Sequence, residues 1–138
     1  MSAIKTNLGS SILKFTFTDE DNEIIASFRL NPGDLKLIQR AEELSDFFKN
    51  ISKNAPENAT IETALKYNAE IEEKMCYLLG YDARQSLFGT IPAMTILEDG
   101  SIFIVLVWEK IASAVAPAAQ KRKEALEKAV NKHTAKYR

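Results

Sequence analysis

One cysteine and one histidine are all the sequence offers to thiol or metal chemistry. A lone Cys76 rules out an internal disulfide, so nothing points to an oxidising compartment and a reducing cytoplasm is the expectation. One residue of each kind cannot build a usual zinc set. A nucleophilic thiol needs a nearby base and a thiolate-stabilising environment. The only histidine, His133, lies far along the chain between Lys132 and Lys136, with no paired acid in a supporting motif. Cys76, beside Met75 and between Lys74 and Tyr77, reads as a small core or boundary side chain. His133 reads as an exposed ring.

Glycine is also scarce, and its five positions, 9, 33, 80, 89 and 100, form no phosphate-cradling pattern. The acidic run Asp19-Glu20-Asp21 lacks the spaced ligands and internal glycine of a calcium loop. Glu70, Glu72 and Glu73 read as the polar face of a helix. No pair of carboxylates stands out for acid–base work. The reading is therefore no enzyme, no metal and no cofactor. The longest apolar run, Ile102–Trp108, is seven residues, far short of the roughly 20 that span a bilayer. Met1–Ser11 lacks the basic patch and apolar run of a signal peptide. A soluble cytoplasmic protein with no membrane partner is expected.

What is present is enough apolar material for a core, 46% of 138 residues, in a chain the size of one domain. Net charge is −1 but unevenly spread. Lys121–Arg138 holds seven Lys/Arg and two Glu, a balance of +5; the first 120 residues hold eleven Lys/Arg and seventeen Asp/Glu, a balance of −6. Such a split fits a nucleic-acid-binding tail, contacts between acidic bodies and basic tails of identical subunits, or an ordinary solvated helix. The residues concerned are Lys121, Arg122, Lys123, Lys128, Lys132, Lys136 and Arg138.

The patterning predicts an α+β fold, mostly α. Leu13, Phe15 and Phe17 alternate with Lys14, Thr16 and Thr18, and Ala26, Phe28 and Leu30 alternate likewise across the polar turn Asp19–Asn22. That is a β-hairpin over 12–30. Asn31-Pro32-Gly33-Asp34 opens a helix over about 34–51, capped by Asn31 or by Asp34. Leu37, Ala41, Leu44, Phe48 and Ile51 form its inner stripe. Ser52–Asn58, with Pro56, reads as a loop. A helix over about 59–79 follows, with Ile61, Ala64, Leu65, Asn68, Ile71, Met75 and Leu78 inward and Gly80 ending it. Asp82 and Gln85 resemble a capping box for a short helix over 83–88.

The stretch 94–107 has two readings. Asp99-Gly100 between β-branched flanks suits a hairpin turn, whereas Ile104, Trp108, Ile111 and Val115 keep helical spacing. The second is favoured, as a helix over about 100–116. Pro117 then kinks the chain or begins a new helix, the Ala/Lys/Glu-rich 118–138. The organisation is thus a loose N-terminus to residue 11, one domain over 12–120 and a basic helical arm over 118–138. Phe47 beside Phe48 and Leu78 beside Leu79 cannot all be buried by single helix faces, and Phe88–Pro92 is an apolar loop. Phe47, Phe48, Leu79, Phe88, Ile91 and Trp108 are therefore the candidate partner contacts.

Three segments carry a family resemblance. They are Phe28-Arg29-Leu30-Asn31-Pro32-Gly33-Asp34 between strand and helix, Leu87-Phe88-Gly89 after the short helix, and the basic ending Asn131–Arg138. Together they resemble the tail assembly chaperones of long-tailed phages infecting Gram-positive bacteria, with His133 where a tyrosine is usual. The likeness covers about 12–138. It implies a non-enzymatic chaperone that binds the tape-measure protein, helps recruit tail tube subunits and exists beside a longer frameshifted form. Two other readings are a small DNA-associated regulator using the basic arm, without helix-turn-helix spacing to support it, and a structural tail component.

Overall fold

The computed structural model describes residues 3–7, 12–55 and 60–136, with 132–136 described by backbone alone. The fold is α+β, mostly α. The alternating segment becomes strand β1 (Leu13–Thr18), paired antiparallel with β2 (Ile24–Leu30). Phe15 lies opposite Phe28 with rings stacked at 4.8 Å, and Phe17 lies opposite Ala26 before a register shift at Thr18. The turn closes on Asp19, whose Oδ1 accepts from the amides of Asp21 (2.8 Å) and Glu23 (3.0 Å). Asn22 takes the left-handed conformation there, φ 64°, which Asn tolerates better than most residues. An isolated hairpin is marginal in water. This one is held through Phe17, edge-on to Phe103 at 5.2 Å, and through the Arg29 amide, which donates to the Tyr81 hydroxyl at 2.9 Å.

Helix α1 (Leu35–Lys49) is capped by Asp34, which accepts from the Lys36 amide at 3.0 Å, so of the two candidate caps Asp34 is the one used. Leu37, Ile38, Ala41, Leu44 and Phe48 are its buried side chains. At Asn50 the chain re-aims into α2 (Ile51–Asn54), which extends the helical region beyond the expected end at 51 and buries Ile51. Residues 56–58 of the expected loop lie outside the described residues.

Helix α3 (Ile61–Leu79) starts at Thr60, whose hydroxyl accepts from the Thr63 amide at 3.2 Å. It ends at Gly80 with φ 81°, where an added Cβ would be strained and would stand 3.0 Å from the Arg40 guanidinium. The expected inner face needs correction in its first turns. Ile61 is 81% exposed and Leu65 64%, with Ala64 also exposed, and Tyr67 is the first buried residue. Packing onto the body begins where the Tyr67 hydroxyl donates to the Ile51 carbonyl at 2.8 Å.

The short helix is α4 (Arg84–Phe88). Its capping box does not form: Ala83 occupies the cap position, and Asp82 instead accepts from the Arg84 amide at 3.2 Å. Both readings of 94–107 hold in part. Leu97 to Ser101 makes a tight turn around Gly100 (φ 89°), and one antiparallel bridge pairs Ile96 with Ile102. Helix α5 then begins at Phe103, three residues later than expected. It runs unbroken to Lys136, so Pro117 neither ends it nor begins another helix. A proline at that place removes one backbone donor and crowds the carbonyl four residues back; the small neighbours Ser113, Ala114, Ala116 and Ala118 leave room.

The start of α5 is fixed by a relay through α3. Asn68 Oδ1 accepts from the Met94 amide at 2.9 Å, and Glu72 Oε2 accepts from the Ala93 amide at 3.3 Å and from Asn68 Nδ2 at 2.7 Å. The loop so held supplies the Thr95 and Ala93 carbonyls to the Phe103 and Ile104 amides, each at 2.9 Å. Two of the orphan donors of a helix start are thereby satisfied. A polar Asn68 on an inner face is explained by this bridge. By length and composition Phe103–Asn131 could cross a bilayer, unlike the short run seen in the sequence. A third of the matching stretch (33%) is buried inside the fold, where core helices have the same composition.

Burial, and secondarily the charge of Glu70, raise the Tyr67 phenol above its ordinary value of 10.0. As pH rises, the unfolded chain therefore loses this proton first. The stability it contributes is full below about pH 10 and is lost as pH climbs through the folded value. Tyr67→Phe is expected to cost about 1 kcal/mol at neutral pH through the lost hydrogen bond. It should also flatten the fall in melting temperature between about pH 9 and 11, as read by thermal melts across that range.

Candidate binding groove

Helices α1 and α5 pack antiparallel. At one end the Phe48 ring stacks on the Trp108 indole, centroids 5.1 Å apart and planes 17° from parallel. At the other end Ile38 faces Ala118 and Ala125. The helices differ greatly in length. Fifteen residues of α1 extend about 22 Å and 34 of α5 about 51 Å, at 1.5 Å per residue. The apolar stripe of α5 therefore outruns the helix that covers it.

Along one side of the seam lies an open groove of about 720 Å³, lined by α1 from Leu35 to Ser45 and by α5 from Trp108 to Leu126. Its floor is Ile38 and Ala41 from α1 and Trp108, Ala112, Val115 and Ala119 from α5. One wall is Leu35, Gln39 and Glu42, and the other is Ala116, Gln120 and Lys123. Leu126 closes the outer end. Leu35 is 51% exposed and Leu126 56%, although both are apolar. The groove offers shape, apolar surface, two cations on the α5 side (Arg122 and Lys123) and one carboxylate on the α1 side (Glu42).

The aromatic candidates from the sequence are only partly brought to this place. Phe48, Phe88 and Trp108 are buried core residues, which corrects their reading as surface contacts; Trp108 alone shows an edge to the groove floor. Phe88 packs edge-on to Phe103 at 6.3 Å. The adjacent phenylalanines divide their duties: Phe48 turns to α5, while Phe47 packs edge-on to it at 5.3 Å and lies under the Lys74 ammonium, 4.6 Å from the ring centre. Leu79 and Ile91 are half-buried and packed against the core. None of these five lines the groove. Sequence reasoning missed Leu35, Ala112, Ala119 and Leu126, because alanines at helical spacing carry little signal until the partner helix is known.

Of the basic candidates, Lys121, Arg122, Lys123 and Lys128 are exposed on the projecting part of α5, and Arg122 and Lys123 border the groove. The side chains of Lys132 and Lys136, and the whole of Arg138, lie outside the described residues. Among the described residues no three His, Cys, Asp or Glu side chains gather into a metal-binding group. Cys76 is half-buried, its sulfur 3.9 Å from Asp82 Oδ1. Comparison with protein-family models, curated proteins and solved structures finds no match.

The exposed outer end of the groove and the core beneath its floor contribute unequally to stability. Leu126→Ser is expected to shift unfolding free energy by no more than about 0.5 kcal/mol. Phe48→Ala, which empties the stack under Trp108, should cost about 3–5 kcal/mol. Chemical denaturation of both variants checks the contrast.

Proposed function

We propose that the chain is a non-enzymatic chaperone that holds amphipathic helices of a partner in the α1–α5 groove, acting in phage tail assembly. The observation that carries this is the groove itself: an apolar floor between two helices, open along its length, with Leu35 and Leu126 exposed at its outer end. Two antiparallel helices with an uncovered seam are a seat for a third, since helix-in-groove recognition lays an apolar face into such a trough. The partner that the family resemblance suggests, the tape-measure protein, is long, apolar and rich in helix. It would present such faces in many copies before the tail tube forms around it. Several copies of this chain along one client would keep it soluble in the bacterial cytoplasm and bring tube subunits to it.

The DNA-associated reading has less support. Lys121, Arg122 and Lys123 are followed by Glu124 and Glu127 on the same helix, and the groove beside them is apolar. Nucleic-acid sites neutralise phosphates with runs of cations, and an apolar trough adds nothing to that.

Co-expression with the product of the long open reading frame expected just downstream tests the proposal. The client is expected to become soluble and to co-purify with several copies of this chain. Leu126→Asp should reduce the recovered complex at least severalfold while the variant itself stays folded. A client that remains insoluble while this chain elutes alone would end the chaperone reading.

A further inference from the structure

We infer that the groove selects an acid-flanked amphipathic helix of about 18 residues, its acidic edge lying along α5; this rests on the helix-binding reading above and specifies its ligand. The length follows from the trough. From Trp108 to Leu126 α5 advances eighteen residues, or about 27 Å, and a helix of matching length fills it. The side chains follow from the floor. Ala41, Ala112 and Ala119 are small, so a visiting helix can approach to the near end of the usual 8–10 Å range, with its own large apolar residues supplying the knobs.

The charge pattern follows from the walls, which are unlike. The α5 side carries Arg122 and Lys123, whereas the α1 side carries Gln39 and Glu42; Lys121 lies on the other flank of the seam, beside Ala118 and Ala125. Of the two nearby acids, Glu124 accepts from the Gln120 amide at 3.3 Å and Glu127 lies beside Lys123 and Leu126 past the outer end; neither lines the groove itself. A helix with Glu or Asp along the edge facing α5, and neutral or basic residues facing α1, meets complementary charge on both sides. The same pattern discriminates against the obvious alternative occupant, the arm of a second copy. Residues 121–128 hold four Lys/Arg and two Glu, so a second arm in the groove would set cations against Arg122 and Lys123. Like-charge juxtaposition across an interface suppresses the wrong partner.

Two labelled synthetic peptides test this against the full chain by fluorescence anisotropy. Both have about 18 residues, leucines at i, i+3, i+4 and i+7 spacing and glutamines on one flank; one carries glutamates on the other flank, and the second carries lysines there. The glutamate peptide is expected to bind at least about tenfold tighter at low salt, with the margin shrinking as salt is raised. Arg122→Glu combined with Lys123→Glu, both exposed and outside the core, should invert the preference. Leu126→Asp should weaken both peptides, with circular dichroism confirming that each variant is folded. Equal binding of the two peptides, a preference that the double variant leaves unchanged, or no binding of either would each overturn the inference. The chaperone reading fails separately: a client left insoluble, with the peptide preference intact, removes the phage role and leaves the groove's selectivity standing. A client held in solution with no acidic preference does the reverse.

Discussion

The stack of Phe48 on Trp108 is the contact on which the rest of the molecule depends. It fixes where α1 and α5 cross and so which way each presents its remaining surface. Two large rings nearly parallel and removed from water supply both area and geometry, since aromatic pairs add to burial a preference of about 0.5–1.5 kcal/mol for particular arrangements. From Trp108 the apolar side of α5 leads back to Phe103, and Phe103 collects Phe17 of the hairpin and Phe88 of α4. The β-hairpin, too small to stand alone, is thus attached to the same helix. The start of that helix is set by Asn68 and Glu72 through the loop they hold. Position is therefore dictated from two sides, by ring packing along the axis and by hydrogen bonds at the end.

A helix so firmly seated at its first half can afford a second half with little beneath it. Nucleation is the costly step in helix formation and propagation adds a bond per residue, so a helix anchored at Phe103–Val115 continues into Ala, Glu, Lys and Leu despite the bond lost at Pro117. The same anchoring makes the extension useful. The apolar stripe of the second half follows the helical register of the packed first half, which places Leu126 at the outer end of the groove. A flexible tail of the same composition would lose that alignment and would bear the entropy of ordering on each encounter.

Much of the fold was legible because its signals are local. Phe15/Phe17 alternation, the Asp34 cap and the Gly80 terminus each follow from the demands of one strand or one helix end. The misses share a different character. Ile61 and Leu65 have inward spacing, yet α1 and α2 give them nothing to pack on. Asp82 and Gln85 have the spacing of a capping box, but Ala83 takes the cap because Leu87 and Phe88 must face the core. Phe88 and Trp108 looked like spare aromatic surface only while the elements that cover them were unknown. The 94–107 stretch divided two readings because it serves both, a minimal turn that ends where a helix begins.

The groove shows the boundary between the two levels. Sequence by itself determined most of the elements, the single cysteine and single histidine, and the division of the chain into an acidic body and a basic end, since these depend on residue type and spacing alone. Tertiary structure decided which apolar residues are spent on the core and which are left over. That choice turns on the relative lengths and crossing of α1 and α5: alongside α1 the stripe residues Ala112 and Ala119 are half-buried, whereas past the end of α1 the same spacing leaves Leu126 exposed, because no element among the described residues lies over it.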